Sequence, residues 1–291
     1  MTPRIPVAIT DTSTPRVSIV VTAREEGDAI VAYLDRLLEA VSLSCEVLVV
    51  VDDVADSTLP WLEEYAGRDH RVKPTLNTFG PGPAKAIRQG VAVAAAPVIV
   101  VTMADGCDDP AQIDPMVRLV ERGIAIAAAS RYMRGGRQIG GPPIKRFMSR
   151  LAGVSLFHLA RVGTHDATNS FKAYSAEFIR EVGIESDGGF EVGIELVAKA
   201  RRRREPVAEI PTIWLDRIFG NSSFRVIKWT PRYLHWYRHA FGPPIHRSAD
   251  QAAPAPPSPG SDRPNPSAGI SDTDNVVPGS ARDRTSAPAQ S

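Results

Sequence analysis

The chain has 291 residues, 43% hydrophobic and 23% charged, a balance that suits one soluble domain of roughly 240 residues and a tail. Its net charge of +1 excludes a global drive toward nucleic acid, and its two cysteines exclude a disulfide framework, making a reducing compartment the default. No charged-then-apolar leader is legible, so secretion is not expected, and the longest apolar stretch, Val91 to Ala104, contains Pro97 and is too short for a membrane-spanning helix.

Residues 1–15 are rich in Thr and Pro and are expected to be disordered, and from Arg16 to about Phe224 strand and helix patterns alternate. Val17 to Val21 reads as a first strand, and Asp28 to Val41 as a helix with Ile30, Leu34, Leu37, Leu38 and Val41 at helical spacing. Val47 to Val51 is the second strand, and Thr58 to Tyr65 the next helix. Gly80-Pro-Gly-Pro breaks the pattern before a helix over Ala84 to Ala95, which leads through Pro97 into a strand at Val98 to Thr102. Ile124 to Ser130 is a further strand. Strands that are continuously apolar and separated by helices predict an α/β fold with a mostly parallel central sheet and helices on both faces. From Ser248 onward Pro, Ser, Ala and Asp dominate, and such a tail cannot bury enough surface to offset its ordering entropy, so 248–291 is expected to be disordered.

The strand at Val98 ends in three acids, Asp105, Asp108 and Asp109. Ligands of open α/β sheets sit beyond the carboxyl ends of the strands, where such acids meet a divalent cation or a phosphate-bearing ligand. The plainer alternative is a turn in which Asp109-Pro110 starts a helix and Asp108 caps it. The first and second strands also end in acids, at Glu25-Glu26 and Asp52-Asp53, so three successive strands deliver carboxylates to one sheet edge. That arrangement suits a nucleotide, with acids for base and ribose and a metal for the diphosphate.

The order of these segments resembles the family 2 glycosyltransferases, in particular their dolichol-phosphate (polyprenol-phosphate) mannosyltransferase-like branch, over about Val17 to Phe224. The similar segments are Val17 to Glu26, Glu46 to Asp53, Gly82 to Gly90, Met103 to Pro110, Ser130 to Gly136, Lys145 to Ser149, Asp166 to Lys172, Glu209 to Pro211 and Asp216 to Ser223. The resemblance implies a GT-A nucleotide-sugar-binding domain at 16–224 that inverts the anomeric carbon during transfer. It further implies Mg²⁺ or Mn²⁺ at Asp105 and Asp108, and donor or phosphate contacts at Ala23, Glu26, Asp52, Asp53, Lys85, Ala104, Lys145, Arg146 and Ser149. The catalytic set it implies is Asp105, Arg131, Asp166 and Arg217. Met103 departs from the family pattern by standing where the first Asp of an Asp-X-Asp metal motif would be. Asp108 is the candidate for the missing oxygen. Thr22, Arg24, Pro83 and Ser223 are further departures, with Lys85, Arg225 or Lys228 as replacement cations.

The implied reaction moves a hexosyl group from a GDP- or UDP-hexose donor to a polyprenyl phosphate. Charge that develops on the leaving diphosphate needs cations, and an ionised acceptor phosphate needs no strong base. Arginine suits such phosphates because its planar fork binds two oxygens. A hydroxyl acceptor in a glycan or glycolipid would instead require a carboxylate base, with Asp166 or Glu191 the first suspects. A nucleotide-sugar-binding protein without catalysis is a third reading. The run Arg201 to Arg204 fits a helix end better than nucleic acid, for which no partner role is expected, and His158 and His165 lack metal-ligand spacing. In the 225–247 region a helix places Trp229, Tyr233, Trp236 and Tyr237 on one face among basic residues. It suits either core packing or a membrane interface. The expected location is the cytoplasm, with peripheral contact at the cytoplasmic membrane face, or a membrane-protein partner, left open.

Overall fold

The computed structural model describes residues 14–216 and 226–245, with only the backbone of 226–229. The chain runs β1 (Val17–Thr22), α1 (Ala29–Ala40), β2 (Cys45–Val51), α2 (Leu59–Arg68), β3 (Val72–Leu76), α3 (Pro83–Val93) and β4 (Val98–Met103). It continues through α4 (Ile113–Glu121), β5 (Ile126–Ser130), β6 (Arg137–Ile139), α5 (Pro143–Ser155), β7 (Lys172–Ser175) and α6 (Ala176–Val182). The last elements are α7 (Val192–Arg203), β8 (Val207–Pro211), β9 (Ile213–Leu215) and α8 (Val226–His239). Of the termini expected to be disordered, 1–15 and 248–291, residues 1–13 and 248–291 lie outside the described residues.

A seven-stranded sheet has the order β3-β2-β1-β4-β7-β5-β8. Its pairs are parallel except at β7, which runs antiparallel to both β4 and β5. The apolar strands explain this layout, because alternate residues feed two cores. Val17, Ile19 and Val21 of β1 join one core with α1, α2 and α4, while Val20 joins another with α3, α6, α7 and α8. Both faces are therefore covered, as uninterrupted apolar strands require. β6 and β9 form a separate parallel ribbon. The carboxyl ends of β1, β2, β4, β5 and β8 therefore share an edge with the amino end of β7.

Candidate functional site

The acidic half of this edge is built by cross-linked loops. Glu25 adopts a left-handed backbone, φ 53°, and its N–H donates to both oxygens of Asp56 at 3.2 and 3.1 Å. The Glu26 N–H donates to Thr58 Oγ1 at 3.0 Å, so the loops after β1 and β2 are tied to each other. Ala23 continues the pairing with its N–H on the Val50 carbonyl at 3.0 Å. Asp52 accepts from Asn77 Nδ2 at 2.8 Å and from the Gly82 N–H at 3.0 Å, which draws the loop after β3 up to the sheet edge. Gly82 has φ 123°, and a Cβ there would stand 3.2 Å from the Gly188 carbonyl, so only glycine fits between the two loops. Lys85 follows in the first turn of α3, its Nζ 3.5 Å from where a Gly80 Cβ would stand. Asp53 is exposed and closes a local turn on the Ala55 N–H.

At the end of β4, Ala104 is buried and its N–H donates to the Thr22 carbonyl at 3.1 Å. Asp105 Oδ1 accepts from the Cys107 N–H at 3.1 Å. Arg36 of α1 holds the same turn through the Gly106 carbonyl at 2.8 Å. Asp108 Oδ2 accepts from Thr102 Oγ1 at 2.9 Å, and burial together with the Asp105 charge pushes its carboxyl up to about 7. The turn cap expected of Asp108 belongs to its neighbour, since Asp109 Oδ1 accepts from the Ala111 N–H at 3.1 Å. Among the described residues no group of three or more His, Cys, Asp or Glu is arranged to hold a metal.

The basic half centres on Arg131, at the end of β5. Its guanidinium grips Asp166 in a fork, Nε to Oδ2 at 2.7 Å and Nη2 to Oδ1 at 2.9 Å, and its backbone N–H donates to Oδ2 at 3.0 Å. Asp166 is fully buried. Burial opposes its ionisation, and the Arg131 charge and hydrogen bonds overcome that to hold the carboxyl below its ordinary value. The other Nη2 bond reaches Ser149 Oγ at 3.2 Å, which also binds the Tyr132 hydroxyl at 3.0 Å and Thr168 Oγ1 at 2.6 Å. Arg131 also lies over the Trp214 ring of β9, 5.9 Å from its centroid. Beneath this network Lys172 is buried on β7 and donates to the Ala167 carbonyl at 3.3 Å and to the Asn169 carbonyl. Burial pushes its ammonium down to about 7 against the attraction of Asp166.

The structure thus joins Arg131, Asp166 and Ser149, and Asp108 couples electrostatically to Arg131 across the two halves. Lys145 lies one turn before Ser149 on α5 and is half-buried, whereas Arg146 is exposed. Arg217, Ser223 and Arg225 fall outside the described residues, as do the side chains of Lys228 and Trp229. Glu191 is buried, accepts from the Gly189 N–H at 2.9 Å and faces Arg232 Nη1 at 3.7 Å. His165 stacks on Phe157 with centroids 3.6 Å apart and binds Glu209 through Nδ1 at 2.6 Å, a packed structural cluster. In the arginine run, Arg201 donates to the Ala160 and Gly242 carbonyls and Arg202 to that of Pro243, so these side chains brace helix ends. Sequence reasoning missed Asp56, Thr58, Asn77, Tyr132, Thr168 and Lys172. Only Lys172 carried a signal, a lysine inside the apolar run Phe171 to Tyr174.

This geometry, a carboxylate-edged, mostly parallel sheet facing the buried Arg131–Asp166 pair, is that of a nucleotide-sugar transferase. The model of glycosyl transferase family 2 matches residues 18–183, and the chain belongs to that family. It is 29% identical over 216 residues to an undecaprenyl-phosphate mannosyltransferase of Micrococcus luteus, covering 72% of this chain and 87% of that protein. It is 26% identical over 213 residues to a dolichol-phosphate mannosyltransferase of Pyrococcus furiosus, covering 72% of this chain and 59% of that longer relative. Among solved structures, glucosyl-3-phosphoglycerate synthase of Mycobacterium tuberculosis, bound to Mn²⁺, UDP and glucosyl-3-phosphoglycerate, superposes with a TM-score of 0.57 at 18% identity, over 79% of this chain and 81% of that one. A mannosyltransferase of Pyrobaculum calidifontis in complex with GDP-Man and Mn²⁺ gives 0.54 at 16% identity, over 78% and 64%. The shared architecture is the GT-A fold.

Proposed function

We propose that this chain transfers a hexosyl group, with inversion, from a nucleoside-diphosphate hexose to a polyprenyl phosphate. The observation that carries the reading is the engagement of both candidate bases. Asp166 is locked in a buried fork with Arg131, and Glu191 is buried and hydrogen-bonded. Neither is placed to take a proton from a sugar hydroxyl, and a phosphate acceptor needs none taken. Arg131, held in place by Ser149, then serves as the preorganised cation for a phosphate, with Lys145 one helical turn away.

On the donor side, Asp52 and the loop it holds are set for the nucleoside, and Asp105 and Asp108 for Mg²⁺ or Mn²⁺. A hard cation with two protein oxygens and the rest from phosphate and water is ordinary coordination, so the pair suffices without Asp at position 103. Such a cation supplies neutralisation of the diphosphate as it leaves. Domain limits of 16–224 for the transferase fold and 225–247 for the C-terminal helix accompany this reading. No helix among the described residues is long and apolar enough to cross a membrane. We place the enzyme at the cytoplasmic face, where a lipid-borne phosphate meets a soluble donor.

The test incubates purified chain with labelled GDP-mannose or UDP-glucose and Mg²⁺ or Mn²⁺, offering a polyprenyl phosphate and a glycan acceptor in parallel. Label on the phosphate acceptor, lost with Arg131→Met and reduced with Asp105→Ala, is the expected result. Label on the glycan alone would refute the reading.

A further inference from the structure

We propose that the outward face of α5 is a docking surface for a bilayer bearing anionic headgroups. This helix is inside out. Ile144, Phe147, Met148 and Leu151 stand 71%, 65%, 46% and 55% exposed, at the i, i+3, i+4, i+7 spacing that puts them on one stripe. The opposite stripe, which a soluble helix would fill with apolar side chains, carries Ser149 against Arg131 and Gly153 against the loop before Asp166. A Cβ at Gly153 would sit 2.1 Å from the His165 carbonyl oxygen, so α5 is pressed to the protein by its small residues and turns its large ones out. Leu159, just beyond α5, and Ile139 and Leu215 of the β6–β9 ribbon add exposed apolar area. Scattered apolar residues on a surface need no explanation, but a contiguous helix stripe does.

Charge selects the occupant. Between Glu121 and Asp166 the chain has eight arginines and lysines and no aspartate or glutamate, inside a protein whose net charge is +1. Arg134, Arg137, Arg146 and Arg150 of this segment are exposed. A second copy of the chain meeting this face symmetrically would set like charges together. Nucleic acid would satisfy the cations and leave the apolar stripe in water. A phospholipid surface satisfies both, taking the stripe into the acyl boundary and the arginines among the headgroups. The proposal needs the polyprenyl-phosphate reading only for its catalytic consequence: the helix that would rest on the bilayer also carries Ser149 toward Arg131.

The experiment sediments the full chain with vesicles of phosphatidylcholine, with and without phosphatidylglycerol. It compares the wild type with Ile144→Ser, Phe147→Ser and Leu151→Ser combined, and measures transfer to a short water-soluble prenyl phosphate and to a long one embedded in the vesicles. We expect binding that requires phosphatidylglycerol and weakens with salt, and a loss of about ten-fold or more in the variant. Transfer to the soluble acceptor should be retained while transfer to the embedded one falls in step with binding. Vesicle binding unchanged in the variant would overturn the proposal. So would a wild-type dimer that the variant dissociates, or a variant whose melting temperature drops because the chain itself covers the stripe. If neither acceptor is used while binding still depends on the stripe, docking stands and the transferase reading fails alone.

Discussion

Helices α5 and α8 are both basic, both carry an apolar stripe, and they bury opposite sides of it. In α8 the stripe turns inward: Trp236 is buried, its Nε1 donates to Ser186 Oγ at 3.1 Å, and Lys199 lies 5.2 Å from its ring centroid. Tyr237 reaches Ser155 of α5 at 3.1 Å, and Arg232 faces Glu191. In α5 the inner side is Ser149 and Gly153, and the apolar side faces out. Periodicity reports that a helix has two faces; the partners decide which one is covered. Tyr233, Trp236 and Tyr237, three of the aromatic residues that made α8 the sequence's candidate for a membrane interface, pack on the core, where their large area finds partners.

The difference can be attacked from its strongest point outward. Arg131→Met removes the cation that the inner side of α5 supports and leaves Asp166 buried and unpaired. Transfer should fall by about 10²–10³-fold, and stability by about 3–5 kcal/mol. Adding Asp166→Asn should return most of the stability and none of the activity, a separation that denaturation and turnover measurements would check. Trp236→Ala on α8 should cost about 3–5 kcal/mol in chemical denaturation, as expected for a large buried aromatic. A loss under about 1 kcal/mol would mean that α8 is not held by its stripe.

Lys172 gives a smaller, pH-dependent effect. Its folded-state value of about 7 lies below the ordinary 10.5, so the unfolded chain binds the extra proton. Stability should therefore rise as pH increases from about 7 toward 10.5, and Lys172→Met should flatten that slope in thermal melts taken across the range. The smallest effect belongs to Phe147→Ser on the outer side of α5, which should change stability by less than about 0.5 kcal/mol. Against the Trp236 result, it measures how differently two apolar side chains on two similar helices are used.

Much of the sheet was legible because β1, β2, β4 and β5 are apolar on both faces and each is preceded or followed by a helix pattern. β3 was not, since Lys73 and Pro74 sit on an edge strand where a missing donor is tolerated. β6 and β9 have three residues each, too few for any period to register. At the site, acids at strand ends announced themselves, and Asp52, Asp105 and Asp108 stand at one edge. Asp56 did not, because a polar residue in an acidic loop reads as solvated until its two bonds to the Glu25 N–H are known. The pairing of Arg131 with Asp166 spans 35 positions and exists only once β5 and β7 are neighbours.

The contact at Gly153 has a mechanical meaning. With no room for even a methyl group between α5 and the His165 carbonyl, the helix cannot slide along the loop that ends in Asp166. Helix, loop and Arg131 are thereby keyed together, Gly153 against the His165 carbonyl and Ser149 against the Arg131 guanidinium.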